Sequence, residues 1–188
     1  MKDIEVELKF RLPEEKKNQL FELMKKEGEF VNTIRMKDSY FAPSHRDFFA
    51  KKPIVEWLRI RESDKGHSVN YKNRQLGPNG ENLNYCDEYN TPLEKPDQLE
   101  KIFSALDINP VIVVDKVRNS FMYQQVEVSL DEVVELGDFV ELEMKGKFDS
   151  PEEAREKLYA LAEELGLEKD WQDQKGYPWI LMEKKGII

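Results

Sequence analysis

Histidine, cysteine and net positive charge are all scarce in this chain of 188 residues, and each shortage closes off a class of chemistry. Cys86 is the single cysteine, so neither an intrachain disulfide nor a thiolate metal centre can form, and its expected place is a half-buried strand position. The two histidines, His45 in a polar loop and His67 beside a turn, are poorly placed for a general base. No apolar run approaches the roughly 18 residues of a membrane span. Met1-Lys2-Asp3 leads straight into a strand pattern, without the hydrophobic region of a signal peptide. The expectation is a cytoplasmic protein with no membrane partner. Lys and Arg number 29 against 38 Asp and Glu, a formal charge of −9, which argues against a general nucleic-acid surface but leaves room for a local basic cluster.

What is present is enough for one domain over residues 1–188, with 39% hydrophobic residues to build its core. Three segments have helical spacing and end signals. Pro13 to Gly28 carries Leu20, Phe21, Leu23 and Met24 and stops on glycine; Pro96 to Leu106 carries Leu99, Ile102, Phe103 and Leu106. Ser150-Pro151-Glu152-Glu153 is an N-cap, a first-turn proline and two acids, and Gly166 closes the helix that follows. A short helix is expected within Gln174 to Met182. Between these lie about eight strand-like runs, near 3–12, 33–42, 54–63, 67–74, 83–91, 111–120, 124–132 and 138–146. Asp64-Lys65-Gly66, Gly77-Pro78-Asn79-Gly80 and Gly137-Asp138 supply turns between antiparallel neighbours.

Glu5-Val6-Glu7-Leu8-Lys9-Phe10 puts two acids and a lysine on one strand face, and Glu141-Leu142-Glu143-Met144-Lys145 repeats the order. Facing a common space, the two stripes would suit hard cations and an anion together. Other strands segregate charge in the same way: Arg59 and Arg61, Asn70, Lys72 and Arg74, Lys116 and Arg118, then Glu127, Ser129 and Asp131. Two readings of these faces stand side by side. One is a sheet with its polar face in water. The other is a closed barrel whose charged faces point inward, with amphipathic helices covering the apolar outside.

Beyond pattern, the chain resembles the CYTH family, the triphosphate tunnel metalloenzymes. The Glu-x-Glu-x-Lys opening is followed in family order by Asp38-Ser39-Tyr40-Phe41, Trp57-Leu58-Arg59-Ile60-Arg61, Asn70-Tyr71-Lys72 and Asp87-Glu88-Tyr89. Lys116-Val117-Arg118, Asp131, Leu136-Gly137-Asp138-Phe139-Val140-Glu141-Leu142-Glu143 and Gly176-Tyr177 complete the set, the last where the family usually has Ser-Tyr. The resemblance implies an α+β fold: an eight-stranded antiparallel tunnel with a charged interior, its outer face covered by helices. It further implies binding of a triphosphate with divalent metal. The chain looks most like the class IV adenylyl cyclases, with thiamine triphosphatases and inorganic triphosphatases as relatives.

A triphosphate carries about four negative charges, which calls for several fixed cations and metal. Lys9, Arg59, Arg61, Lys72, Lys116 and Arg118 match the family's phosphate-binding positions, and Lys175 is a further candidate. Mg²⁺ or Mn²⁺ takes oxygen ligands. Glu5, Glu7, Glu141 and Glu143 are the expected carboxylates, with Asp131 as a further ligand or a support behind the ligands and Glu88 as an additional one. Glu5, Glu7, Lys9, Glu141 and Glu143 form the expected catalytic set. The implied partner is a small-molecule triphosphate (ATP, thiamine triphosphate or inorganic triphosphate), with no nucleic acid, and the oligomeric state is left at monomer or homodimer.

Overall fold

Alternation of charged and apolar side chains builds eight strands in the computed structural model, which describes residues 4–50, 52–80 and 82–188. They are β1 (Ile4–Arg11), β2 (Glu29–Pro43), β3 (Glu56–Ser63), β4 (Gly66–Leu76), β5 (Asn82–Leu93), β6 (Ile108–Tyr123), β7 (Val126–Val133) and β8 (Gly137–Met144). The helices are α1 (Glu14–Glu27), α2 (Pro96–Ala105), α3 (Pro151–Glu164) and α4 (Tyr177–Lys184), with a single 3₁₀ turn at Lys169–Trp171. The expected beginning of the first strand at residue 3 lies outside the described residues.

The strands close in the order β1-β5-β4-β3-β2-β6-β7-β8, every neighbour antiparallel. Closure decides which face is solvated. Val6, Leu8 and Phe10 of β1 point outward with Val128, Leu130, Val140 and Leu142, and bury themselves under α1 and α3. Leu20 and Met24 of α1 meet them, and Ala154 and Ala162 let α3 approach closely while Leu158 and Leu161 fill the seam. Each such leucine contributes about 1.5–3 kcal/mol on burial. On the opposite side α2 sets Phe103 edge-on against Phe41, at 5.2 Å between ring centroids. The charged faces are left to the interior, so the inward of the two sequence readings is the one realised.

α3 starts as its sequence dictates: Ser150 Oγ accepts from the Glu153 amide at 3.1 Å, and the Glu153 carboxylate accepts from the Asp149 amide at 2.9 Å. β2 and β6 run longer than their alternation suggested. A bulge between Phe30 and Asn32 moves Phe30 onto the outer face, against Phe121, and breaks the period of two that marks a strand. In β6, Pro110 is tolerated because pairing with β7 begins only at Lys116, leaving that earlier edge free of a donor requirement.

α4 fills one end of the barrel. There the inward strand positions turn apolar, at Tyr40, Trp57, Val114, Val133 and Phe139, and pack on Tyr177, Trp179, Leu181 and Met182. Gly176, at φ +88°, turns the chain into this helix in a conformation that a side chain would strain.

Candidate functional site

The two Glu-x-Glu-x-Lys stripes are neighbours. β1 and β8 run antiparallel with Glu7 opposite Glu143 and Lys9 opposite Glu141, so reversal of direction places the lysine of the first copy against a glutamate of the second. Lys9 Nζ lies 2.9 Å from Glu141 Oε1. Glu7 and Glu143, by contrast, put like charges on directly paired positions, which is unfavourable without a cation between them. Burial, followed by the nearby Glu5 and Glu7 carboxylates, pushes the Glu143 pKa up to about 7 even though Lys145 Nζ sits 2.6 Å away.

The basic wall is assembled by two buried aspartates. On β2, Asp38 is paired in register with Arg61 and receives its guanidinium as a fork, Nε to Oδ1 and Nη2 to Oδ2, both 2.6 Å; Arg59 Nη1 donates to Oδ2 at 3.2 Å. On β7, Asp131 is paired with Arg118 and takes the same fork, again at 2.6 Å, together with Lys116 Nζ at 2.7 Å and the Tyr177 hydroxyl at 2.9 Å. Burial raises both carboxyls, but the adjoining cations outweigh it and hold each below the usual carboxylate range. Such planar forks fix a guanidinium in orientation as well as in charge.

The remaining charges meet across the same space. Lys72 contacts Glu5 and lies 3.4 Å from Glu88, which also accepts from the Asn70 amide. Arg74 is 3.8 Å from Glu7 and donates to the Gln174 carbonyl at 2.7 Å. Arg118 also contacts Glu141, whose carboxyl is held well below its ordinary value; burial opposes this, and Arg118 and Lys9 prevail. Lys116 goes the other way: burial, then Arg118, lower it to about 8 despite Asp131. Burial also pushes the Cys86 thiol up, and its Sγ lies 3.3 Å from Glu5. The cavity so enclosed measures about 320 Å³.

Of the expected site residues, Glu5, Glu7, Lys9, Arg59, Arg61, Lys72, Glu88, Lys116, Arg118, Glu141 and Glu143 all line this one cavity. One expectation is corrected. Lys175 points away from the tunnel, with its ammonium 2.7 Å from Glu183 and over the Trp179 ring, because Asp173 ties the Lys175 and Gly176 amides into a turn that leaves the side chain outside. Asp131, expected as a ligand or a support behind the ligands, is 1% exposed and spends both oxygens on Arg118, Lys116 and Tyr177. It belongs to the wall. The structure adds Arg74, Glu127 and Lys145 to the lining, Asp38 behind it and Tyr177 at its floor. Asp38 stood in a family-ordered motif but drew no role from its pattern, being a lone acid between inward-facing Met36 and Tyr40.

The chemistry of the rim suits a hard divalent cation: Glu5, Glu7 and Glu143 are neighbouring oxygen donors, and burial together with the other two carboxylates raises the pKa of Glu143. Among the described residues, no three such side chains are already gathered about a common point. Each is held by a lysine or arginine instead.

The CYTH domain pattern matches residues 3–177. A candidate adenylate cyclase of Methanocaldococcus jannaschii is 30% identical over 177 residues, spanning 93% of this chain and 96% of that protein. A protein of Pyrococcus horikoshii superposes with a TM-score of 0.79 at 28% identity, covering 96% of this chain and 99% of the other. A candidate adenylyl cyclase of Hippeastrum, described as having a dominant triphosphatase activity, shares the fold with a TM-score of 0.64 at 16% identity, over 97% and 96% of the two chains.

Proposed function

The chain belongs to the CYTH family, and from that premise we propose that it is a divalent-metal-dependent enzyme that takes a triphosphate into its tunnel, with conversion of ATP to cyclic AMP and pyrophosphate as the leading reaction. Charge balance carries this reading. Eight Lys or Arg side chains line the cavity, and six lining glutamates with Asp38 and Asp131 behind them make eight acids. A ligand with about four negative charges therefore needs cations from solution as well as the fixed ones. The acidic rim of Glu5, Glu7 and Glu143, with Glu88 and Glu141 nearby, is where Mg²⁺ or Mn²⁺ would be held.

Bound there, the metal would neutralise phosphate charge and polarise the attacking hydroxyl. The protein's own part is to grip and orient. Arg59, Arg61 and Arg118, fixed by their aspartates, present guanidinium groups to phosphate oxygens, and Lys9, Lys72 and Lys116 add point charges. In the cyclase reaction the ribose 3′-oxygen forms a bond to the α-phosphorus, the bond from that phosphorus to the bridging oxygen breaks, and pyrophosphate leaves; the hydroxyl proton passes to solvent.

A second reading is hydrolysis of thiamine triphosphate or inorganic triphosphate, in which water attacks the terminal phosphorus and orthophosphate leaves. It is favoured by a lining in which charged side chains outnumber uncharged ones, so that the triphosphate could be held without its organic group. No helix among the described residues is long and apolar enough to cross a membrane, and a cytoplasmic site of action belongs to the same proposal. The deciding experiment incubates purified protein with ATP, thiamine triphosphate and inorganic triphosphate, each with Mg²⁺ or Mn²⁺. Cyclic AMP with pyrophosphate is the expected product; orthophosphate without cyclic AMP replaces the cyclase with a triphosphatase. Binding without turnover under every condition would make the protein a triphosphate-binding module.

A further inference from the structure

Under the phosphate-facing cations lies an aromatic ring that the reaction above does not use. Tyr177 opens α4, directly after the turn at Gly176, and is 4% exposed at the tunnel floor. Its hydroxyl donates to Asp131 Oδ2 at 2.9 Å, the oxygen that also accepts from Lys116 at 2.7 Å and Arg118 at 2.6 Å. Its ring centroid lies 4.0 Å from Lys9 Nζ and 4.8 Å from Lys116 Nζ, and Phe139 braces the ring edge-on at 4.9 Å.

These contacts differ from the tunnel's ion pairs in one respect. A carboxylate holds an ammonium by cancelling its charge, whereas an aromatic face attracts it through a quadrupole that carries no net charge. The ring can thus draw Lys9 and Lys116 towards the floor while leaving both positive. The hydroxyl occupies one acceptor site of Asp131 and fixes the rotation of that carboxylate, on which the Arg118 fork depends.

We propose that Tyr177 is a positioning residue, delivered by α4, that holds Lys9, Lys116 and Arg118 in the arrangement that receives a polyphosphate anion. The anion's identity rests on the proposed function; the arrangement of the three cations does not. The C-terminal helix thereby completes the binding site as well as closing the barrel.

The test compares wild type with Tyr177→Phe, which keeps the ring and loses the hydroxyl, and Tyr177→Leu, which loses both. Acylation of lysines by acetic anhydride, followed by peptide mass spectrometry, reports the cation arrangement without substrate, with the exposed Lys26 as internal reference. Lys116 should label at least about threefold faster in Tyr177→Phe. Calorimetry with inorganic triphosphate and Mg²⁺ should show Kd raised about threefold in Tyr177→Phe, from one hydrogen bond, and about tenfold or more in Tyr177→Leu, from that bond and the two cation–π contacts together. In turnover the loss should fall on KM more than on kcat. Melting curves check folding, and Tyr177→Phe, nearly isosteric, carries the test if Tyr177→Leu unfolds. Unchanged labelling and unchanged Kd in Tyr177→Phe overturn the inference while leaving the triphosphate reading standing. Faster Lys116 labelling in a protein that binds no triphosphate supports the positioning role and removes that reading.

Discussion

Single side chains in this tunnel do opposite jobs according to how many neighbours share them. Asp38 and Asp131 are each surrounded by cations and so remain ionised in nearly complete burial, acting as anchors for arginine forks. Lys116 is the counterpart on the basic side: burial and Arg118 lower its pKa to about 8, so it is the fixed cation with the least margin. For a lysine lowered in the fold, the unfolded chain holds more protons between about pH 8 and its ordinary value near 10.4, so this group's contribution makes stability rise with pH across that window. Ligand affinity moves the other way. A polyphosphate anion favours the ammonium, so binding at pH 8.5–9 should take up a proton and affinity should fall as pH rises through 8. Calorimetry in two buffers of different ionisation enthalpy measures that uptake; identical apparent enthalpies would place Lys116 outside the titration.

At the scale of elements, the antiparallel pairing of β1 with β8 is the decisive arrangement, because it sets Glu7 against Glu143 on paired positions. Such a pair lowers stability by roughly 0.2–1 kcal/mol. Glu7→Gln and Glu143→Gln should therefore each leave melting temperature unchanged or raise it by about 1–3 °C. Each should also lower turnover at least about a hundredfold, with the double variant little worse than either single one, since groups that act as a unit fail together. Additive and modest losses in product assays would return these glutamates to the status of solvated charges. The sequence showed the two stripes but not their adjacency. Alternation reports which residues share a face, and the cap at Ser150 reports where a helix begins, because both are local. Register between residues 7 and 143 is a property of the closed barrel, and so is the pairing of Asp38 with Arg61, which is why Asp38 and Tyr177 carried no assigned role until the strands were placed. Lys175 failed for a local reason: the Asp173 turn, not strand alternation, sets its direction.

For the whole molecule, helices outside and charges inside mean that the outer core under α1 and α3 and the functional cavity are separate bodies of side chains sharing one set of strands, while the core under α4 meets the cavity at Tyr40, Trp57 and Tyr177. The outer core can then stay intact while the interior carries opposed charges in near balance, and what the interior lacks is supplied on binding. That separation makes stability a direct reporter of occupancy. A ligand at a hundred times its Kd stabilises the folded state by about 2.7 kcal/mol, which for a chain of this length corresponds to a rise in melting temperature of about 5–11 °C. Inorganic triphosphate with Mg²⁺ or Mn²⁺ should reach that range in differential scanning fluorimetry. Triphosphate with EDTA should give less than half of it, because eight fixed cations are already matched by eight acids. If chelation left the shift intact, the fixed Lys and Arg would be holding the anion unaided, and the acidic rim would have to be reassigned from metal to substrate orientation.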